Sequence, residues 1–169
     1  MSDSFFRFSF ETSRCSGCMA CVIACMDQND LDSPVFSFRQ VSSFENNNED
    51  GVRLGFVSLA CFHCSDAPCL NVCPGKAIFW DNDLGIVDVN PERCIGCQAC
   101  AIVCPFGVPR FSTDGKMFKC DLCKERVRER LQPACVQVCT TKALTFSKAE
   151  ENAAVKAKKI GTKFLDYYT

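Results

Sequence analysis

The sequence predicts a small α+β protein in which short antiparallel hairpins and short helices surround four groups of cysteines. Sixteen of the 169 residues are cysteine, and each group contains four of them. Segments that alternate apolar and polar residues, such as 6–11, are separated by polar turn sequences, a pattern typical of short strands. The cysteine groups also repeat along the sequence, which predicts two related halves.

The cysteine spacings suit iron–sulfur clusters. The first and third groups read C-x2-C-x2-C-x3-C, the second C-x2-C-x4-C-x3-C and the fourth C-x2-C-x11-C-x3-C. In sequence order the groups are Cys15, Cys18, Cys21 and Cys25; Cys61, Cys64, Cys69 and Cys73; Cys94, Cys97, Cys100 and Cys104; and Cys120, Cys123, Cys135 and Cys139. In bacterial ferredoxins this run gives three cysteines to one [4Fe–4S] cluster and the fourth to the other cluster of a pair. Sixteen thiolates therefore predict four [4Fe–4S] clusters as cofactors.

Two other uses of so many cysteines fit the sequence less well. A disulfide framework needs an oxidising compartment, and the first residues show neither a secretory signal nor a twin-arginine pair. A zinc-binding scaffold uses four ligands per ion, so the closely spaced third cysteine of each triplet would have no role. Zinc stays an alternative mainly for the fourth group, whose long insert departs most from the ferredoxin spacing.

The cysteine groups are related to one another in pairs. Residues 14–25 (RCSGCMACVIAC) and 93–104 (RCIGCQACAIVC) are identical at eight of twelve positions, and the second and fourth groups share C-x-x-V-C-x-x-K-A. A predicted hairpin joins the second and third groups, as in two-cluster ferredoxins. We therefore predict an inserted ferredoxin-like half at 60–104, interleaved with a split half formed by 1–59 plus 105–169.

Exchange of the fourth cysteines within each half predicts four sites. The first site is Cys15, Cys18, Cys21 and Cys139; the second is Cys61, Cys64, Cys69 and Cys104; the third is Cys94, Cys97, Cys100 and Cys73; the fourth is Cys120, Cys123, Cys135 and Cys25. Because each half is too small to build a large core, the clusters are expected to supply much of the folding free energy. Without metal we expect the protein to be unfolded or molten.

The remaining segments predict short elements between the cysteine groups. Alternating residues predict further strands at 35–44, 52–59 and 144–146. Polar and glycine-containing sequences predict turns at 46–51, 81–85 and 113–116. Helices are predicted over 121–131 and 147–161. The apolar tail at 164–168 is expected to pack on the core or to contact another subunit.

Composition excludes several functional classes. A net charge of −1 does not favour nucleic-acid binding, and the basic stretch 124–130 is interpreted as an exposed helix face, with a docking face as the alternative. No apolar stretch reaches the roughly 20 residues that span a bilayer. The sequence has no G-x-x-x-x-G-K phosphate loop and no nucleophile–base pair, so no catalytic residue is predicted. In the absence of an export signal we expect a cytoplasmic protein.

Motifs outside the cysteine spacing carry a resemblance to a known family. The segments CSGCMACVIACMDQNDL, CFHCSDAPCLNVCPGKAI, CIGCQACAIVCPFGVPRF and KCDLCKERVRERLQPACVQVCTTKAL fall within residues 12–146. They resemble the four-cluster electron-transfer subunits of the dimethyl sulfoxide reductase type, although Thr140 stands where many members carry proline. The resemblance implies the interleaved halves and cluster sites given above. It also implies a non-catalytic wire between a catalytic oxidoreductase subunit, usually a molybdenum or tungsten enzyme, and a second redox partner.

The resemblance leaves the identity of the complex open. The sequence is also similar to small polyferredoxin subunits of formate dehydrogenases, aldehyde oxidoreductases, hydrogenases and carbon monoxide dehydrogenases, some of which stack into filaments. A free-standing polyferredoxin that diffuses between enzymes is the alternative within the same chemistry. A zinc-binding scaffold is a more distant alternative.

A few residues outside the cysteine groups have a predicted role. His63, the one histidine, lies between two ligands and is expected to pack or to hydrogen-bond a cluster sulfur. Trp80 and the phenylalanines are expected to keep water away from the clusters. Lys76 and Lys142 occupy matched positions after the fourth cysteines of their groups, either as counter-charges or as exposed residues.

Overall fold

The computed structural model describes residues 5–32, 37–48 and 51–149. The predicted helix over 147–161 and the predicted apolar tail lie almost entirely outside the described residues. The start of that helix was placed wrongly, because residues 147 and 148 belong to a strand that ends at Lys148.

Short helices and two-stranded sheets make up the described part of the chain. The strands are β1 Phe6–Phe10, β2 Gln40–Asn48, β3 Gly51–Leu59, β4 Ile78–Asp81, β5 Ile86–Val89, β6 Arg110–Phe111, β7 Met117–Phe118 and β8 Leu144–Lys148. The helices are α1 Ala20–Gln28, α2 Pro68–Asn71, α3 Ala99–Val103, α4 Lys124–Arg128 and α5 Ala134–Gln137. The strands pair antiparallel as β1–β8, β2–β3, β4–β5 and β6–β7. The predicted α+β class of small hairpins and short helices is confirmed.

The sequence repeat has a matching backbone repeat. Before the first group, Glu11 N donates to Ala143 O at 2.9 Å, and before the third group Asn90 N donates to Ala77 O at 2.8 Å. Helix α1, in the first group, packs against α5 in the fourth, and α2, in the second group, packs against α3 in the third. The contacts thus pair the cysteine groups as first with fourth and second with third.

Buried apolar residues form two small clusters beside these helices. One contains Ala67, Ile78, Val87, Cys100 and Met117, with Trp80 packed against it. The other contains Cys135, Val136 and Leu144, with Phe8 and Phe10 at its edge. Cysteine side chains belong to both clusters, so the candidate ligands are also part of the hydrophobic core.

Two predicted elements are shorter than expected. The helix predicted over 121–131 is reduced to α4, because Leu122, Cys123 and Arg130 adopt left-handed backbone conformations with φ of 65°, 51° and 61°. Residues 35 and 36 of the strand predicted over 35–44 lie outside the described residues, and the strand begins at Gln40 in the structure. The amide of Arg39 donates instead to Ser37 Oγ at 3.3 Å, which takes that residue out of the strand ladder. The strand continues to Asn48, so residues 46–48 and 51 of the predicted turn belong to strands β2 and β3.

Within the described ranges, no helix is long and apolar enough to cross a membrane.

Candidate iron–sulfur centres

The first and third cysteine groups lie in loops of the same conformation. Each loop has left-handed residues at two matched positions, with φ of 69° and 71° at Gly17 and Gly96, and of 62° and 61° at Met19 and Gln98. A Cβ atom at Gly96 would lie 2.9 Å from Gly115 O. Glycine is therefore required there both by backbone conformation and by close packing. Each loop ends where a helix, α1 or α3, begins.

Three cavities are each lined by four cysteines. The first contains Cys15, Cys18, Cys21 and Cys139. The second contains Cys61, Cys64, Cys69 and Cys104. The third contains Cys94, Cys97, Cys100 and Cys73. Every cavity thus combines three cysteines of one group with the fourth cysteine of another, as the sequence predicts for the first, second and third sites.

The cysteines of the predicted fourth site are also neighbours. Cys25, Cys120 and Cys135 are buried, and Cys25 does not line the cavity that contains Cys15. Burial, and then the nearby Cys135 and Cys25, raise the pKa of the Cys123 thiol to about 11. The pKa of Cys25 is raised first by burial and next by Cys135. Cys25 therefore lies near Cys123 and Cys135, although these belong to the fourth group and are far from it in the sequence.

Backbone amides donate to several of the sulfurs. Ala77 N lies 3.3 Å from Cys73 Sγ, Met117 N 3.4 Å from Cys94 Sγ, and Leu122 N 3.4 Å from Cys120 Sγ. Leu144 N lies 3.4 Å from Cys139 Sγ and, with the Thr141 hydroxyl, lowers the pKa of Cys139 although burial acts in the opposite direction. Such donors favour the thiolate, which is the form that binds metal.

Burial raises the pKa of several of these thiols. Burial raises the pKa of Cys100 to about 11, and it raises the pKa of Cys120 well above the ordinary value. Four thiolates around one cavity would repel each other in a low-dielectric environment unless a cation neutralised them. A cationic metal centre is the group that makes all four thiolates favourable at once.

Two buried cationic side chains were not singled out from the sequence. Arg39 is 2% exposed and Lys119 is 6% exposed. Lys119 Nζ donates to Val87 O and, at 3.0 Å, to Cys120 O. The position of Lys119 directly before Cys120 was the one signal in the sequence, whereas Arg39 gave none because it lies in an alternating segment that predicts an ordinary strand.

His63 packs in the interior, which confirms one of its two expected roles. Its Nδ1 lies 3.2 Å from Val87 O, and its backbone amide, rather than its ring, donates to Cys61 Sγ at 3.5 Å. Burial, and then the charge of Lys119, hold the pKa of His63 well below its ordinary value.

Lys76 and Lys142, which occupy matched positions after the fourth cysteines of their groups, are both exposed. Both have a left-handed backbone conformation, with φ of 46° and 54°.

The donor set fits iron–sulfur clusters. Each cavity offers four thiol groups, and cysteine thiolates are the ligands that hold [4Fe–4S] clusters. Within the described ranges, no three His, Cys, Asp or Glu side chains converge closely enough to hold a single ion. Buried polar atoms without a partner occur at Arg39 Nε, Arg39 Nη2 and His63 Nε2. Unpaired buried donors are costly, and an anionic cluster bound by four thiolates is an acceptor that would satisfy the arginine donors.

Comparison with known proteins agrees with this geometry. Residues 52–149 match the family model described as a 4Fe-4S dicluster domain. The protein is 39% identical over 155 residues to the B chain of the anaerobic dimethyl sulfoxide reductase of Escherichia coli strain K12, a match that covers 86% of this chain and 75% of that protein. The probable anaerobic dimethyl sulfoxide reductase chain YnfG of the same strain matches with the same values. Protein NrfC of that strain is 40% identical over 143 residues, covering 83% of this chain and 64% of NrfC.

These similarities extend over most of the sequence. They confirm the resemblance that the motifs predicted, and they agree with a broadly non-catalytic role within an oxidoreductase complex. The protein therefore belongs to the 4Fe-4S dicluster family of iron–sulfur electron-transfer subunits, related to the B chain of dimethyl sulfoxide reductase.

Proposed function

We propose that this protein binds four [4Fe–4S] clusters at the four predicted sites. The observation that carries the proposal is the composition of the three cavities, each lined by three cysteines of one group and one of another. The mutual effects of Cys25, Cys123 and Cys135 support the fourth site. When bound, each cluster supplies a centre that gains or loses one electron.

The four sites belong to two interleaved ferredoxin-like halves. The inserted half, 60–104, carries α2, the β4–β5 hairpin and α3, whereas the split half, 1–59 plus 105–169, carries α1, α5 and the β1–β8 pair. The matched hydrogen bonds from Glu11 and Asn90, and the separate packing of α1 on α5 and of α2 on α3, support this division. Each half would hold two clusters that exchange their fourth cysteine.

Neighbouring sites follow an order along the molecule. Burial is the main cause of the raised pKa of Cys21, Cys120 and Cys100, but each also responds to a cysteine of another site. Cys21 responds to Cys135, Cys120 to Cys61 and Cys100 to Cys69. These pairs support the order first, fourth, second, third, a continuous row suited to electron transfer.

The row of sites suits a wire between two redox partners. Its function would be to pass electrons between a catalytic subunit, which we propose to be a molybdenum or tungsten enzyme, and a second redox subunit or carrier in the cytoplasm. The names of the relatives support a catalytic reductase subunit as the partner, since two are chains of dimethyl sulfoxide reductases. The alternatives are a hydrogenase or carbon monoxide dehydrogenase partner, a free-standing polyferredoxin, and self-stacking into filaments. The identity of the protein that co-purifies would distinguish among them.

Single cysteine variants test the assignment of ligands. Cys73→Ala should alter the same electron paramagnetic resonance signal as Cys97→Ala, because both residues line the third cavity. Cys104→Ala should alter the signal that Cys64→Ala alters, because these residues line the second cavity. If Cys73→Ala matched Cys64→Ala instead, each group would hold its own cluster and the exchange of fourth cysteines would be wrong.

Anaerobic purification from the native host tests whether this protein transfers electrons to or from a catalytic partner. The proposal predicts a complex with a companion that contains molybdenum or tungsten, and oxidation of that companion's substrate should bleach the clusters of this protein. Isolation with full iron content and without any companion would contradict the wire and favour the free carrier. As a control, Cys73→Ala in the same host should retain the companion but slow the electron transfer.

A further inference from the structure

Arg39 is a buried cation without a carboxylate partner. Its side chain is 2% exposed, and Nη1 donates to Ser58 Oγ at 3.1 Å while the guanidinium lies 4.8 Å from the centre of the Phe8 ring. Nε and Nη2 make no hydrogen bond of ordinary geometry, and no ion pair joins Arg39 to an acidic side chain in the described part of the chain. Burying an uncompensated charge is costly, so a negative group must lie nearby.

The groups near Arg39 that carry negative charge as thiolates are cysteines of two different sites. Burial is the largest influence on the pKa of Arg39 and acts to lower it, but Cys135, Cys120 and Cys21 together raise it. Cys120 and Cys135 belong to the fourth site, and Cys21 belongs to the first. Phe8, whose ring lies against the Arg39 guanidinium, packs in the same apolar cluster as Cys135 and Cys21. Arg39 therefore lies between the two sites of the split half.

Ser58 connects the arginine to the first site. The Ser58 side chain is 5% exposed, and its Oγ lies 3.7 Å from Cys21 Sγ. A hydroxyl has one hydrogen to donate and two lone pairs that accept. Because Oγ already accepts a hydrogen bond from Arg39, its own hydrogen is available for the Cys21 sulfur.

We propose that Arg39 raises the reduction potentials of both clusters in the split half. It acts directly on the fourth site and, through the Ser58 hydroxyl, on the first site. Addition of one electron makes a thiolate-bound cluster more negative, so a fixed positive charge in a low-dielectric interior stabilises the reduced form more than the oxidised form. The inference rests on the proposed presence of clusters at these sites, and it makes Arg39 a positioning and tuning residue rather than a ligand.

Redox titration of the anaerobic holoprotein with dithionite, followed by electron paramagnetic resonance, tests the inference. Arg39→Gln should shift the reduction equilibrium of the first and fourth sites at least tenfold toward the oxidised form, which is 59 mV for a one-electron couple. The third site should not change. Ser58→Ala should lower the potential of the first site alone. Arg53→Gln is the matched control, since it removes the same charge from an exposed position on β3, the strand that also carries Ser58.

The charge-conserving variant Arg39→Lys should keep the reduction potentials of the first and fourth sites close to those of the wild type. Unchanged potentials in an Arg39→Gln protein with full iron and sulfide would overturn the inference while leaving the four-cluster proposal intact. If both Arg39 variants lost iron, an unchanged first-site potential in Ser58→Ala would overturn the proposed action of Arg39 through the Ser58 hydroxyl. Wild-type protein without iron–sulfur signals would contradict the proposed function itself and the inference with it.

Discussion

The ion pair between Asp88 and Lys124 connects strand β5 to helix α4. Lys124 Nζ lies 2.8 Å from Asp88 Oδ2, and the two side chains are 31% and 13% exposed, lysine first. Asp88 Oδ1 also accepts a hydrogen bond from Val89 N at 2.8 Å. We expect Asp88→Asn to weaken the contact between β5 and α4, because asparagine keeps the amide hydrogen bond but loses the charge.

The size of the effect follows from the partial burial of the pair. Hydrogen bonds to charged groups contribute about 1.5–3 kcal/mol, whereas exposed ion pairs contribute about 0.2–1 kcal/mol. The Asp88–Lys124 pair lies between these limits, so its loss should cost about 1–2 kcal/mol. If the contact is absent from the transition state for unfolding, the rate should rise roughly 5- to 30-fold.

The pH dependence has a defined sign. Burial, the largest influence, acts to raise the pKa of Asp88, but the hydrogen bonds from Lys124 and Val89 and the charges of Lys124 and Lys119 hold it below its ordinary value. A lowered pKa in the folded state means that the stabilisation is present above the unfolded pKa of about 3.9 and is lost as the pH falls through the folded value. The difference between wild type and variant should therefore stay constant from about pH 6 to about pH 8.

Anaerobic denaturation, monitored by loss of visible cluster absorbance, measures this effect as an unfolding rate. Glu125→Gln is the control, because the Glu125–Arg128 pair is exposed at 75% and 50% and should contribute little. A double-mutant cycle with Lys124→Gln isolates the pairwise energy. A rate for Asp88→Asn equal to that of Glu125→Gln, or a cycle without coupling, would refute the reasoning.

Three further predictions concern the core, a ligand loop and the metal. Ile86→Ala should cost about 2–5 kcal/mol, because the side chain is fully buried, and Ile102→Ala, 84% exposed, should stay within about 0.5 kcal/mol in the same denaturation assay. Gly96→Ala should reduce the iron content more than Gly107→Ala, since both glycines have positive φ but only the first would contact a backbone oxygen; equal iron contents would contradict that contact. Removal of iron with a chelator should abolish most of the far-ultraviolet circular dichroism, and a spectrum that matched the holoprotein would show that the apolar core folds alone.

The local fold could be predicted where the signal is local. The hairpin β4–β5, the strands β1, β3 and β8 and the turn between β6 and β7 follow alternation and turn residues, and the structure has each of them. The assignment of cysteines to clusters stays a prediction, based on the repeat and on the loop between the second and third groups, and the cysteines that line the three cavities are consistent with it. Helix α4 was overestimated, since left-handed residues around Cys123 have no signature in a sequence of ordinary helix formers.

The buried charges around the sites could not be predicted. Arg39 and Lys119 are ordinary charged residues by sequence, and such residues are mostly exposed. Their burial depends on contacts between distant segments: Arg39 with Ser58 and Lys119 with Val87. Long-range contacts of this kind leave no pattern in the neighbouring sequence.

The iron and acid-labile sulfide content of the anaerobically purified protein tests the central claim most directly. Four sites of four cysteines predict about sixteen iron and sixteen sulfide per molecule, with no zinc. About eight iron and eight sulfide would mean that only two of the four sites hold clusters. Zinc in place of iron would contradict electron transfer by this protein.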